Sequence, residues 1–197
     1  MKKIEIAVLL GLVLSIGLSS VFSFASDCSA VRGEVLRLHI LANSDSDEDQ
    51  ALKLLVRDRV LEETGELFSG AQNLETAQSL AKQNLLKIQA IATDELRKNG
   101  SDADVTAGLC RMYFETRQYD NYTLPAGMYD AVRIEIGKAE GKNWWCVMFP
   151  PICVTSAIDP DELNKMLSEE GESVITGTQK FKVKFYIVEL FERWFKK

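Results

Sequence analysis

Cys146 and Cys153 flank a Pro-Pro pair in the stretch NWWCVMFPPICV at residues 143–154, and Cys28 and Cys110 complete the chain's four cysteines. Thiols at such a spacing serve as a nucleophilic centre, as metal ligands or as a disulfide. No C-x-x-C pair occurs, which argues against a zinc ribbon. Seven extended residue steps would hold the two Cα atoms about 23 Å apart, against the ~5.5 Å of a disulfide, so Cys146 and Cys153 meet only if the chain reverses between them. Pro150-Pro151 offers a place for that reversal, although Pro-Pro also runs extended. The segment is expected to be a structural corner in which Trp144, Trp145 and Phe149 feed core and surface. The three possible pairings of four cysteines stay open.

His39 is the only histidine, which excludes a multi-histidine zinc site and leaves one imidazole for acid–base work. A Cys–His hydrolase would set it beside Cys146 or Cys153; a strand histidine is more often structural or interfacial. Asp45, Asp47 and Asp49 form a D-x-D-x-D that begins like a calcium loop. Gln50 and Val56 then stand where such a loop needs Gly and Glu, so the acids read as the first turn of a helix. No catalytic residue, metal or cofactor is expected.

Whether the thiols pair depends on the compartment. Lys2 and Lys3 precede the apolar run from Ile6 to Leu18, and small residues at Ser23 and Ala25 complete the pattern of a signal peptide. The run is about 13 residues, short of the ~20 of a bilayer-spanning helix, so residues 1–25 are expected to be removed after Ala25. An uncleaved anchor would still place the rest outside the cytoplasm. Asp27 before Cys28 argues against lipid attachment. Residues 1–25 carry Lys2, Lys3 and Glu5, so the exported part is one charge more negative than the −6 of the whole chain. Such a balance disfavours nucleic acid and anionic membrane as partners.

The elements that must position these residues follow from periodicity. GEVLRLHILANS alternates, with Leu36, Leu38 and Ile40 on one face and Val35, Arg37, His39 and Leu41 on the other, predicting a strand at 34–41. A helix follows, capped by Ser44 or Ser46 and striped by Leu52, Leu55, Val56 and Val60, ending at Gly65 or Gly70. A second helix is predicted at 73–98, with Leu74, Ala77, Ala81, Leu85, Ile88, Ala92 and Leu96 as its stripe. After Gly100 three strand-like runs, VTAGLCRMYFET, GMYDAVRIEIG and NWWCVMFP, predict an antiparallel meander. A short helix from Pro160, a loop from Gly171 to Gly177 and a C-terminal helix with Phe181, Phe185, Val188, Phe191 and Phe195 on one stripe complete the chain. The fold class is α+β, a single exported domain over 26–197, with 155–197 as a helical extension.

Three segments taken together resemble the stage II sporulation protein R family: LRLHILANSDSDEDQALKLLVRD at 36–58, LPAGMYDAVRIEIG at 124–137 and GKNWWCVMFPPIC at 141–153. The resemblance implies a signalling protein, not an enzyme, secreted from the forespore into the space between forespore and mother cell membranes. Its implied partner is the extracytoplasmic face of a membrane-embedded aspartic protease that processes pro-sigma-E, with membrane contact only through the signal peptide or that receptor. An exported thiol- or histidine-dependent hydrolase is the alternative. Polar groups cluster where the first strand meets the helix start, so His39, Asn43, Ser44, Asp45 and Asp49, with Arg133, are the expected partner-binding residues. Trp144, Trp145, Cys146, Phe149, Pro150, Pro151 and Cys153 are expected to be structural.

Overall fold

Leu36–Leu41 forms a strand, β1, whose six residues are all buried. The computed structural model describes residues 2–68, 70–119, 122–151, 166–176 and 178–195. They fall into two compact units: Met1–Arg32, Phe114–Gly127 and Leu167–Lys197 make the first, and Gly33–Tyr113 with Met128–Met166 the second.

The second unit is built on a four-stranded sheet in the order β2-β5-β1-β6, where β2 is Val105–Phe114, β5 Gly127–Ile136 and β6 Asn143–Phe149. β1 pairs parallel with β5 and antiparallel with β6. The expected meander is therefore corrected: β5 and β6 are not neighbours, because the N-terminal strand inserts between them. β2 lies antiparallel to β5. Gly137 N–H donates to Asp104 O at 2.8 Å, Thr106 Oγ1 to Glu135 Oε2 at 3.2 Å, and Arg111 lies 3.8 Å from Asp130, so numbers rise along β2 as they fall along β5.

Helices cover one face of this sheet: α2 (Asp47–Gly65), α3 (Leu74–Gln83) and α4 (Leu85–Lys98). Leu36, Leu38 and Ile40 meet Val56, Val60, Ala77, Ala81, Ile88, Ala92 and Leu96 in one core cluster. The helix predicted over 73–98 is broken at Asn84. That residue's Nδ2 donates to Leu80 O at 2.8 Å, closing α3, while its own carbonyl accepts from Ile88 N–H at 2.9 Å and opens α4. Asn73 and Thr76 form a capping box at the start of α3. Leu55, assigned to the apolar stripe of α2, is exposed, and Lys53 takes a buried place instead. A register shift between Leu36 and Arg37 puts Met148 and Phe149, adjacent in β6, into the same core.

In the first unit, α1 (Lys2–Glu34) carries exposed apolar side chains from Ile4 to Phe22, then buries Phe24, Cys28 and Val31. The Phe24 and Phe185 rings meet edge-on at 5.0 Å, and Arg32 donates to Ala126 O at 3.0 Å and pairs with Glu192 at 3.3 Å. β3 (Arg117–Gln118) and β4 (Thr123–Leu124) form a two-stranded sheet. Two helices, α5 (Glu169–Thr176) and α6 (Thr178–Phe195), end the chain. α5 replaces the loop expected from Gly171, its first turn rich in glutamates that suit a positive helix end. The helix expected from Pro160 falls largely outside the described residues.

Candidate functional site

The turn that follows β1 lies beneath an arch. Because β5 and β6 flank β1, residues 137–142 must cross the end of that strand, and the polar residues of the turn hold the crossing in place. Asn43 Oδ1 accepts from Lys138 N–H at 3.1 Å and Asp45 Oδ1 from Lys142 N–H at 2.7 Å, while Gly141 N–H donates to Ala42 O at 3.0 Å. The approach is close enough to require glycine. A Cβ on Gly141 would lie 2.2 Å from Ser44 O, and one on Gly137, where φ is +56°, would lie 2.3 Å from Asn43 Oδ1.

The same turn starts α2. Ser46 Oγ accepts from Asp49 N–H at 3.2 Å as a cap, and Asp49 Oδ2 accepts from Ser44 Oγ at 2.5 Å and from Asn43 Nδ2 at 2.9 Å. Those donors, Ser44 first, hold the Asp49 carboxyl below the usual carboxylate range. Lys53, missed by the sequence reading, donates to Gln50 Oε1 at 2.6 Å and to Lys142 O at 2.9 Å. Burial is the main cause that lowers its pKa. A lysine between Leu52 and Val56 on an apolar stripe was the signal for it. Asp45, Asp47 and Glu48 remain exposed around this framework.

His39 points to the sheet face opposite the helices. Its Nε2 lies 2.7 Å from Asn143 Oδ1, so this nitrogen carries the proton, and its ring stacks on Trp145 at 4.1 Å and 3°. Burial is the main cause that lowers its pKa, leaving it neutral at pH 7. Arg133 is opposite His39 in the parallel register and pairs with Glu135 at 2.7 Å. Arg37, also missed, is fully buried on that face, its Nε donating to Cys146 O at 3.0 Å and its guanidinium lying 5.1 Å from the Tyr129 ring centre. An arginine within an otherwise apolar strand was the readable sign.

Cys146 is buried and disulfide-bonded, and Cys28 and Cys110 are free; Cys153 lies outside the described residues. Cys146 is opposite Leu38, on the helix side of the sheet, whereas His39 is on the other side. Burial pushes the Cys28 thiol up to about 12. These thiols have structural, not nucleophilic, surroundings. Among the described residues no group of three or more His, Cys, Asp or Glu side chains is placed to hold a metal ion. Trp144 and Trp145 are both half-buried, with Arg57 stacked 4.4 Å over Trp144, while Phe149 and Pro150 are buried and Pro151 is half-exposed.

Residues 32–159 match the family model described as stage II sporulation protein R. The chain belongs to the stage II sporulation protein R family. A curated relative, the stage II sporulation protein R of Bacillus subtilis (strain 168), is 34% identical over 177 residues, covering 79% of each chain. No solved structure matches. The family segment begins at the end of α1, so the apolar part of that helix precedes it. By length and composition α1 is able to cross a membrane, as a signal peptide or an anchor also is. The polar turn, the arch and the His39–Trp145 stack all lie within the matched stage II sporulation protein R segment.

Proposed function

We propose that this chain is an exported sporulation signal. It leaves the forespore, binds the extracytoplasmic face of a membrane-embedded aspartic protease of the mother cell, and so triggers processing of pro-sigma-E. It acts by binding rather than by catalysis, shifting its receptor toward an active state through differential affinity for that state. The observation that carries this reading is the family segment at residues 32–159 placed directly behind an apolar N-terminal helix. The site geometry supports it too, since the histidine is engaged by an amide and an indole, and the one bonded thiol described is on the opposite side of the sheet.

Within this reading, Asn43, Ser44 and Asp49 hold the turn, and the exposed acids Asp45, Asp47 and Glu48 present it to the receptor. Co-expression of the full chain with the protease and its pro-sigma substrate in a non-sporulating host tests the proposal. Processing is expected only when all three are present. Processing without this chain, or its persistence when the N-terminal helix is deleted and the protein stays in the producing cytoplasm, refutes it.

A further inference from the structure

We infer that the outer edge of β2 is a self-association surface that takes a second copy of this chain. β2 is an outer strand of the four-stranded sheet, and among the described residues only β5 pairs with it. Edge strands are normally blunted by proline, repeated charge or short length. The stretch Thr106–Met112, TAGLCRM, has no proline and one charge within a strand of ten residues. Asp104 is hydrogen-bonded to Gly137 of β5, so even-numbered residues of β2 address β5 and the backbone groups of Ala107, Leu109 and Arg111 point outward. These are the donors and acceptors that an added strand takes up.

Two features of this edge argue for a second copy as the occupant. In an antiparallel pairing about a two-fold axis at Cys110, Gly108 is opposite Met112, and Leu109 exchanges its outward hydrogen bonds with Arg111 of the second copy. Each small residue then meets a larger one, and the two arginines are not opposite each other. Beside this edge a groove of about 450 Å³ is lined by Glu75, Gln78, Ser79 and Lys82 of α3, together with Arg111 and Asp130. The four α3 residues are spaced as one helical stripe with an acid at one end and a base at the other. A two-fold axis reverses that order, which turns Glu75 toward Lys82 of the second copy and Lys82 toward its Glu75. A stripe of this kind complements itself.

Sedimentation of the purified full chain in detergent, with a short bis-maleimide added in parallel to join neighbouring thiols, tests the inference without any signalling assay. The expected result is a dimer at micromolar concentration whose cross-link is lost with Cys110→Ser. Glu75→Lys is expected to weaken it by roughly ten-fold or more, because symmetry applies the like-charge contact twice, and Glu75→Lys with Lys82→Glu to restore it. Arg111→Pro removes an outward N–H without touching the β5 ladder, and should give a folded monomer by circular dichroism. A monomer at all concentrations, or a dimer indifferent to both the charge reversal and Arg111→Pro, overturns the inference.

Discussion

Replacing Gly141 by alanine adds a single methyl group to the arch over β1, and its cost follows from what that methyl meets. The new Cβ would lie 2.2 Å from Ser44 O, 2.6 Å from Ser44 C and 2.9 Å from the Ala42 Cβ. Two of these are backbone atoms of the hydrogen-bonded turn, which cannot swing aside as a side-chain end does. Overpacking of this kind costs about 1–3 kcal/mol. Moving the arch also lengthens the Gly141–Ala42 hydrogen bond of 3.0 Å and the Lys142–Asp45 bond of 2.7 Å, each worth about 0.5–1.5 kcal/mol. Together they predict a loss of about 2–6 kcal/mol, or roughly 5–25 °C in Tm for a chain of this size. Thermal unfolding followed by circular dichroism measures it, with Gly65→Ala as the control. A Cβ at Gly65 meets nothing within 4 Å, so that change should leave Tm unaltered or raise it slightly. An unchanged Tm for Gly141→Ala, or an equal loss in the control, refutes the account of the arch.

Acidification should destabilise the protein through His39. Its folded pKa is lowered, so below about pH 6.5 the unfolded chain binds a proton that the fold resists, and stability that is full above that pH falls as pH drops toward the folded value; denaturant midpoints at several pH values should show this slope in the native chain and not in His39→Gln. Phe149→Ala, at a fully buried position, should cost about 3–5 kcal/mol, at least as much as the ~2–4 kcal/mol of opening the disulfide by Cys146→Ser, as read from urea unfolding. Asp47→Asn with Glu48→Gln should reduce pro-sigma processing several-fold while shifting Tm by little, since both side chains are exposed and no positive charge is placed at the start of α2; processing at the native level would remove this turn from the receptor contact.

Local pattern made the elements legible and long-range pairing hid their arrangement. The alternation at 34–41, the apolar stripes of α3 and α4 and the boundaries of β2, β5 and β6 each depend on residues close in sequence, and they were readable. That β1 lies between β5 and β6 depends on partners about a hundred residues away, which no local period encodes. The polar turn was visible as a cluster of caps. Its link to Lys138 and Lys142 was not, because a loop that crosses a strand end leaves no periodic trace beyond Gly137 and Gly141. Likewise the His39–Asn143 contact joins two strands whose adjacency was unforeseen. The break at Asn84 was missed because asparagine within an apolar stripe costs little by propensity, and its side chain acts only by reaching back to Leu80.

Helix α1 also bears on how far a signal of the proposed kind would travel. Exposed apolar side chains end at Phe22 and burial begins at Phe24, so one continuous helix joins the membrane-compatible stretch to the folded first unit without a tether between them. In the proposed signalling role, a chain that keeps this helix in a membrane would hold its first unit at the bilayer surface and search for its receptor in two dimensions. A chain cut after Ala25 would lose the apolar stretch and, with it, the packing of Phe24 on Phe185. Under the proposed function, removal of residues 1–25 would therefore detach the chain from its apolar stretch and alter the packing of α6 together, coupling release to the stability of the released protein.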